Sequence, residues 1–121
     1  MFYRKLVAEA AGVIDRTADD PKWPYRVDPE ILNVGSVWTC PLGQVFKNYN
    51  SPRANRAKEL ARVIGVDHAF DNVTPVQLPI LNAAWRREIL RRRQALARAV
   101  VDPMIDAIYA GPTWEDERSY G

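Results

Sequence analysis

Chemistry in this 121-residue chain would fall first to its one cysteine, Cys40, and its one histidine, His68. Cys40 precedes Pro41 at a predicted helix start, where the positive end of the helix dipole lowers a thiol pKa and favours thiolate. His68 would then act as the base, with Asp71 or Asn72 orienting it. Gln44 or backbone N–H groups near Cys40 would supply oxyanion donors. The same residues also have an ordinary reading. A free cysteine is among the most often buried residue types, and no known nucleophile signature surrounds this one. The expectation is therefore a core thiol that caps or packs its helix, in a protein that is not an enzyme. His68 has no Cys, Asp or Glu at metal-ligand spacing, so no metal is expected. No glycine-rich phosphate loop or nucleotide fingerprint is present, and no cofactor is expected. With a single cysteine there is no internal disulfide, which suits a reducing compartment.

The second group is basic. The net charge of +2 conceals +1 over residues 1–81, +5 over 82–98 and −4 over 99–121. The +5 block holds Arg86, Arg87, Arg91, Arg92, Arg93 and Arg98. On a helical wheel Leu81, Trp85, Ile89, Leu96 and Val100 share one stripe, with Arg87, Arg91 and Arg98 opposite and Arg86 and Arg93 on a flank. Arg92 falls within the apolar stripe. It must pair with an acid, lie along the core edge, or mark where the core ends near Ile89 and the helix runs on. Three roles suit such a face: a solvated surface pairing with the acidic tail Glu115-Asp116-Glu117, phosphate contact with a nucleic acid, or docking into a protein partner or a second copy. No helix-turn-helix or RNA-reading signature accompanies it.

These residues need helices to position them. Tyr3, Leu6, Val7, Ala10, Val13, Ile14 and Thr17 recur at spacings of three and four and predict a helix over 2–17, stopped before Pro21. Residues 21–29, with Trp23 and Tyr25 among three prolines, read as extended. Asp28-Pro29 predicts a short helical turn over 29–33, and 34–38 is β-compatible without a partner strand. Thr39 or Cys40 before Pro41, and Ser51 before Pro52, each read as an N-cap followed by proline, opening helices over about 39–49 and 52–64. Gly65 is placed to end the second in a left-handed conformation. A connector over 66–80 leads to a long helix from about Pro79 to Val101, which Asp102-Pro103 should end. The fold class is mainly α: one domain of four to five helices over 1–110 with an irregular Pro/Trp-rich connector, and an acidic aromatic tail over 111–121. Trp23, Trp38, Phe46, Phe70 and Trp85 should fill the core. Within the third segment, Gly43 implies close packing by a neighbour or close approach of a ligand, and Gln44 bonds either a loop carbonyl or that ligand.

The segment Cys40-Pro41-Leu42-Gly43-Gln44-Val45-Phe46 resembles the C-x-L-G-Q-[VL]-[FY] segment of small proteins from actinobacteria and their phages. Trp23 before it, and Ala69-Phe70-Asp71, Leu81 and Trp85-Arg86 after it, extend the resemblance over roughly residues 3–95. Pro41 and Lys47 depart from the pattern. The resemblance carries no activity, and implies an origin of phage or bacterial type.

No apolar run approaches the roughly 20 residues of a membrane span, and the N-terminus lacks a secretory pattern, so a bacterial cytoplasmic location is expected. The expected function is a non-enzymatic phage-type accessory protein. It would bind a host or phage protein through Arg86, Arg87, Arg91, Arg92, Arg93 and Arg98 and through the tail residues Trp114 and Tyr120. The alternatives are a nucleic-acid-binding module using helix 85–98, and a Cys40-dependent enzyme.

Overall fold

The computed structural model describes residues 2–71 and 73–110, with side chains from Tyr3 to Val101. It is mainly helical. Four α-helices run in the order α1 (Phe2–Thr17), α2 (Pro41–Phe46), α3 (Pro52–Val63) and α4 (Leu78–Ala110). Two 3-10 turns, Trp23–Arg26 and Asp67–Ala69, interrupt the connectors. The described residues contain no strand.

α1 forms where its periodicity places it. Leu6, Val7, Ala10, Ala11, Val13 and Ile14 are buried against α3 and α4. Thr17 closes the helix by donating its hydroxyl to the Val13 carbonyl at 2.9 Å. α3 starts at the Ser51 cap read from sequence, and α2 starts at Cys40, one of the two caps read there. The Cys40 sulfur accepts from the Gly43 N–H and the Ser51 hydroxyl oxygen from the Ala54 N–H. α2 is shorter than expected because Lys47 turns left-handed (φ 65°) immediately after Phe46. Gly65 is also left-handed (φ 82°), directly after the C-cap of α3 at Ile64.

The structure corrects the connectors. Residues 21–29 hold a 3-10 turn where extended backbone was expected. Residues 29–33 form turns in place of a helix, and 34–38 form turns in place of a strand. Side chains satisfy the backbone locally: Asp28 accepts from the Glu30 N–H, Asn33 from the Gly35 N–H, and Ser36 from the Trp38 N–H. Such Asx and Ser turns compete with regular structure, and a lone strand has no ladder to offset them.

The end of α4 is also corrected. The helix runs through Asp102-Pro103 to Ala110. Proline at 103 removes the one N–H that would reach the Ala99 carbonyl, and Ala99 is exposed, so water can take that acceptor. The core, by contrast, ends at Ile89. Leu96 is only half-buried and Val100 is exposed, so the apolar stripe read through both stops two turns earlier. The helix then continues for about six turns, or roughly 30 Å, past the last core residue.

Among the aromatics, Trp23, Phe70 and Trp85 are buried and Phe46 packs on the core edge. Trp38 does not fill the core: it is 75% exposed. Its backbone, not its ring, is what packs. A Cβ on Gly43 would meet the Val37 carbonyl oxygen at 2.1 Å and the Trp38 carbonyl at 3.1 Å, so the 37–38 backbone lies directly on α2 at the one residue without a side chain.

Candidate functional site

The Cys40–Phe46 segment is a structural joint. Cys40 is 1% exposed, and Leu42 and Val45 are buried beside it. Burial pushes the Cys40 thiol pKa up, outweighing the hydrogen bonds from the Gly43 and Leu42 backbone that lower it. Helix α2 has six residues, too short a dipole to reverse that. The small cavity of about 250 Å³ that reaches Cys40 is lined by Val37, Tyr49, Phe70 and Asp71, without His68. Burial first, and then the Asp71 charge, raise the Tyr49 pKa to about 12, with a Tyr49–Asp71 hydrogen bond adding to it. At Cys40 the Asp71 charge adds to burial in raising the thiol pKa, and together they outweigh the lowering by the Gly43 and Leu42 backbone and by Lys58. His68 stands exposed in the second 3-10 turn. Gln44 serves the fold: its side chain accepts from the Asp28 N–H at 2.6 Å and donates to the Thr39 carbonyl at 2.8 Å, joining two loops to α2.

The arginine face divides into two groups. Arg86 donates to the Pro29 carbonyl at 2.9 Å. Arg93 donates to the carbonyls of Pro24 and Val27 and lies 5.2 Å from the Tyr25 ring centre. Both arginines therefore clamp the 24–29 loop onto α4. Arg92 takes the acid-paired option: it bonds Glu88 and Asp15 at 2.6 Å each and lies 5.7 Å from the Trp23 ring centre. Asp15 also accepts from the Trp23 indole at 2.8 Å. Arg91 completes the cluster at 2.7 Å from Glu88. Burial pushes the Glu88 carboxyl up, but the hydrogen bonds and charges of Arg91 and Arg92 together outweigh it and hold its pKa below the usual range. The same hydrogen bond raises the Arg91 pKa.

Arg87 and Arg98 differ. Both are exposed, and neither makes a hydrogen bond or ion pair among the described residues. Trp114 and Tyr120 lie outside the described residues.

Phe70 and Trp85, from the resemblance, meet in the core with ring centres 5.5 Å apart, and the Trp85 indole donates to the Ala69 carbonyl at 2.9 Å. Five further residues were not singled out in the sequence. Asn82, nearly buried on α4, accepts from the Val34 N–H at 2.8 Å and donates to Asn33, pinning the loop that carries Trp38. Thr74 and Gln77 bond each other's backbone N–H ahead of α4, a Thr-x-x-Gln capping box legible in the sequence. Leu90 and Val101 are about half exposed on α4, off the stripe that packs.

No family model matches the chain, and neither does any curated protein or solved structure. Among the described residues, no helix is long and apolar enough to cross a membrane, and no group of three or more His, Cys, Asp or Glu is placed to hold a metal ion.

Proposed function

We propose that the protein is a non-enzymatic binding module of phage-accessory type. It acts in a bacterial cytoplasm through protein–protein contact along the projecting part of α4 and the tail that follows it. The carrying observation is that α4 leaves the core at Ile89 and continues to Ala110 with Leu90, Val100 and Val101 about half exposed. A helix that only completed a core would not extend a mixed apolar and basic surface beyond it. Protein contact is favoured over phosphate contact because Arg86, Arg91, Arg92 and Arg93 already hold the domain's own carbonyls and carboxylates. Arg87 and Arg98 are left to meet a partner.

The test is affinity recovery from the host with the Arg87→Glu, Arg98→Glu double variant, which leaves the internal bonds intact. Loss of the partners held by the unaltered protein is expected. Retention of every one of them would overturn the reading.

A further inference from the structure

The outer side of α4 has its own register. Leu81, Trp85 and Ile89 face the core. At 100° per residue Leu90 lies about 180° from Leu81, and Gln94, Ala97 and Val101 follow within about 40° of it. All four are exposed. Their spacing of four, three and four is that of a heptad seam, and in the sequence positions 104 and 108 (Met and Ile) continue it.

Beside this stripe lies a basic groove. Two adjoining hollows of about 430 Å³ each run between α1 and α4 and share Arg4, Ala84 and Arg87, with Lys5 and Arg91 at one end. Its one lining acid, Glu88, is buried and already bonded by Arg91 and Arg92. Ile80, Ala83 and Ala84 add apolar surface beside the cations. The chain's own acids, Glu115, Asp116 and Glu117, would complement it, with Trp114 and Tyr120 supplying aromatic contact.

Within one molecule they do not reach the middle of that groove. About 35 Å of helix separates Arg87 from Ala110. Glu115–Glu117 lie five to seven residues past Ala110, a reach of at most about 25 Å fully extended. An extended tail backbone therefore reaches back to about position 93 at most, so the self-pairing admitted by the sequence covers Arg98 and Arg93 but stops short of Arg87 and Arg4 in the groove.

We propose that the partner on this face is a second copy of the chain, its α4 antiparallel and centred near Ala99, with each tail seated on the other copy's α1–α4 groove. The inference rests on reading α4 as a protein-binding element. This register sets position 90 opposite 108, 94 opposite 104 and 97 opposite 101, the alternating layers of an antiparallel coiled coil. Position 110 of one copy then falls opposite 88 of the other, so each tail begins beside the other copy's groove. Charge selects the orientation. Parallel pairing would set the +5 segment 82–98 against itself, whereas antiparallel pairing sets its 88–98 part against residues 100–110, which include Asp102 and Asp106.

Sedimentation equilibrium of the full chain from low to high micromolar concentration tests the pairing. A dimer that weakens with salt is expected. Leu90→Asp with Val101→Asp, both on exposed positions, should weaken it at least about tenfold with unfolding unchanged. Reversing the groove (Arg4→Glu, Lys5→Glu, Arg87→Glu) or the tail (Glu115→Lys, Asp116→Lys, Glu117→Lys) should weaken each homodimer. Mixing the two reversed proteins should restore pairing, because each groove then meets a tail of opposite charge in the other copy. A chain that stays monomeric throughout, a dimer indifferent to Leu90→Asp and Val101→Asp, or reversed proteins that fail to pair when mixed would each overturn the proposal. If the chain is monomeric but the Arg87→Glu, Arg98→Glu variant still loses its host partners, the second copy is excluded while the binding role of α4 stands. If neither pairing nor partner loss is seen, both readings fall.

Discussion

Helix α4 is continuous, yet its two halves obey different constraints. From Leu81 to Arg92 every polar group that turns inward has a partner: Asn82 bonds the 33–34 backbone, Trp85 the Ala69 carbonyl, Glu88 two arginines, and Arg92 two carboxylates. Beyond Arg93 the exposed positions include Gln94, Ala97, Arg98, Val100 and Val101. The proximal half is held by what it buries. From Gln94 to Val101 the distal half buries no side chain fully, so it rests on helix propensity, the partial cover of Leu96 and whatever partner adds to it, and a helix with little tertiary packing is marginal in water. The contrast teaches that the arginine count alone says little about binding: four of the six arginines, Arg86, Arg91, Arg92 and Arg93, hold the fold together.

The comparison breaks most visibly at Trp85. Trp85→Ala removes a fully buried ring, its contact with Phe70 and its indole bond, so a loss of about 3–5 kcal/mol in urea unfolding is expected. A loss below about 1 kcal/mol would mean that the proximal half is not what anchors α4.

Much of this organisation was legible in the sequence, and the exceptions have physical causes. α1 follows from apolar spacing, the starts of α2 and α3 from the residues before Pro41 and Pro52, and the end of α3 from Gly65, because those signals are local. Trp38 was not legible as an exposed residue. What decides its position is Gly43, which draws the 37–38 backbone onto α2 and leaves the ring outside. The end of α4 was misplaced for a similar reason. Proline ends a helix where the orphaned carbonyl would be buried, and the exposure of Ala99 is a tertiary fact. At Arg92 the sequence narrowed the choice to pairing, the core edge or core termination. The structure shows the acid pair together with a core that ends at Ile89. Asp15, 77 residues away in the chain, could not be identified from spacing.

A smaller effect is expected at Glu88. Glu88→Gln keeps the shape but removes the charge that Arg91 and Arg92 share, while Arg92 retains Asp15. A loss of about 1–2 kcal/mol at neutral pH is the expected outcome, read by chemical denaturation. The pH dependence follows from the lowered pKa of Glu88. The unfolded chain takes up this proton near the ordinary glutamate value of about 4.3, before the folded chain does. The stabilisation is therefore fully present above that value and is lost as pH falls through the lower folded pKa. Other carboxylates titrate in the same range, so the informative quantity is the difference between the two proteins. The gap between unaltered protein and Glu88→Gln should narrow on acidification. A gap that stays constant down to the lowest pH would show that Glu88 is not held ionised by its arginines.

The smallest effect belongs to the distal half, where a near-zero result is the informative one. Leu90 and Val101 are 53% and 47% exposed, so changing both to Ser removes little buried surface from a single copy. Stability at high dilution should stay within about 0.5 kcal/mol of the unaltered protein. Raising the concentration changes the reference state. If copies pair along this stripe, the unaltered chain gains stability by mass action and the Leu90→Ser, Val101→Ser chain does not, so their melting temperatures should separate only as concentration rises. The comparison between the halves then takes a measurable form. Substitutions at the inward-facing Leu81, Trp85, Glu88 and Ile89 should cost the same at every concentration, and substitutions at Leu90 and Val101 on the outer stripe should cost nothing until a second copy is present. A concentration-independent loss at Leu90 and Val101 would instead mean that the outer stripe is packed within one chain, and that the two halves of α4 are one structural unit.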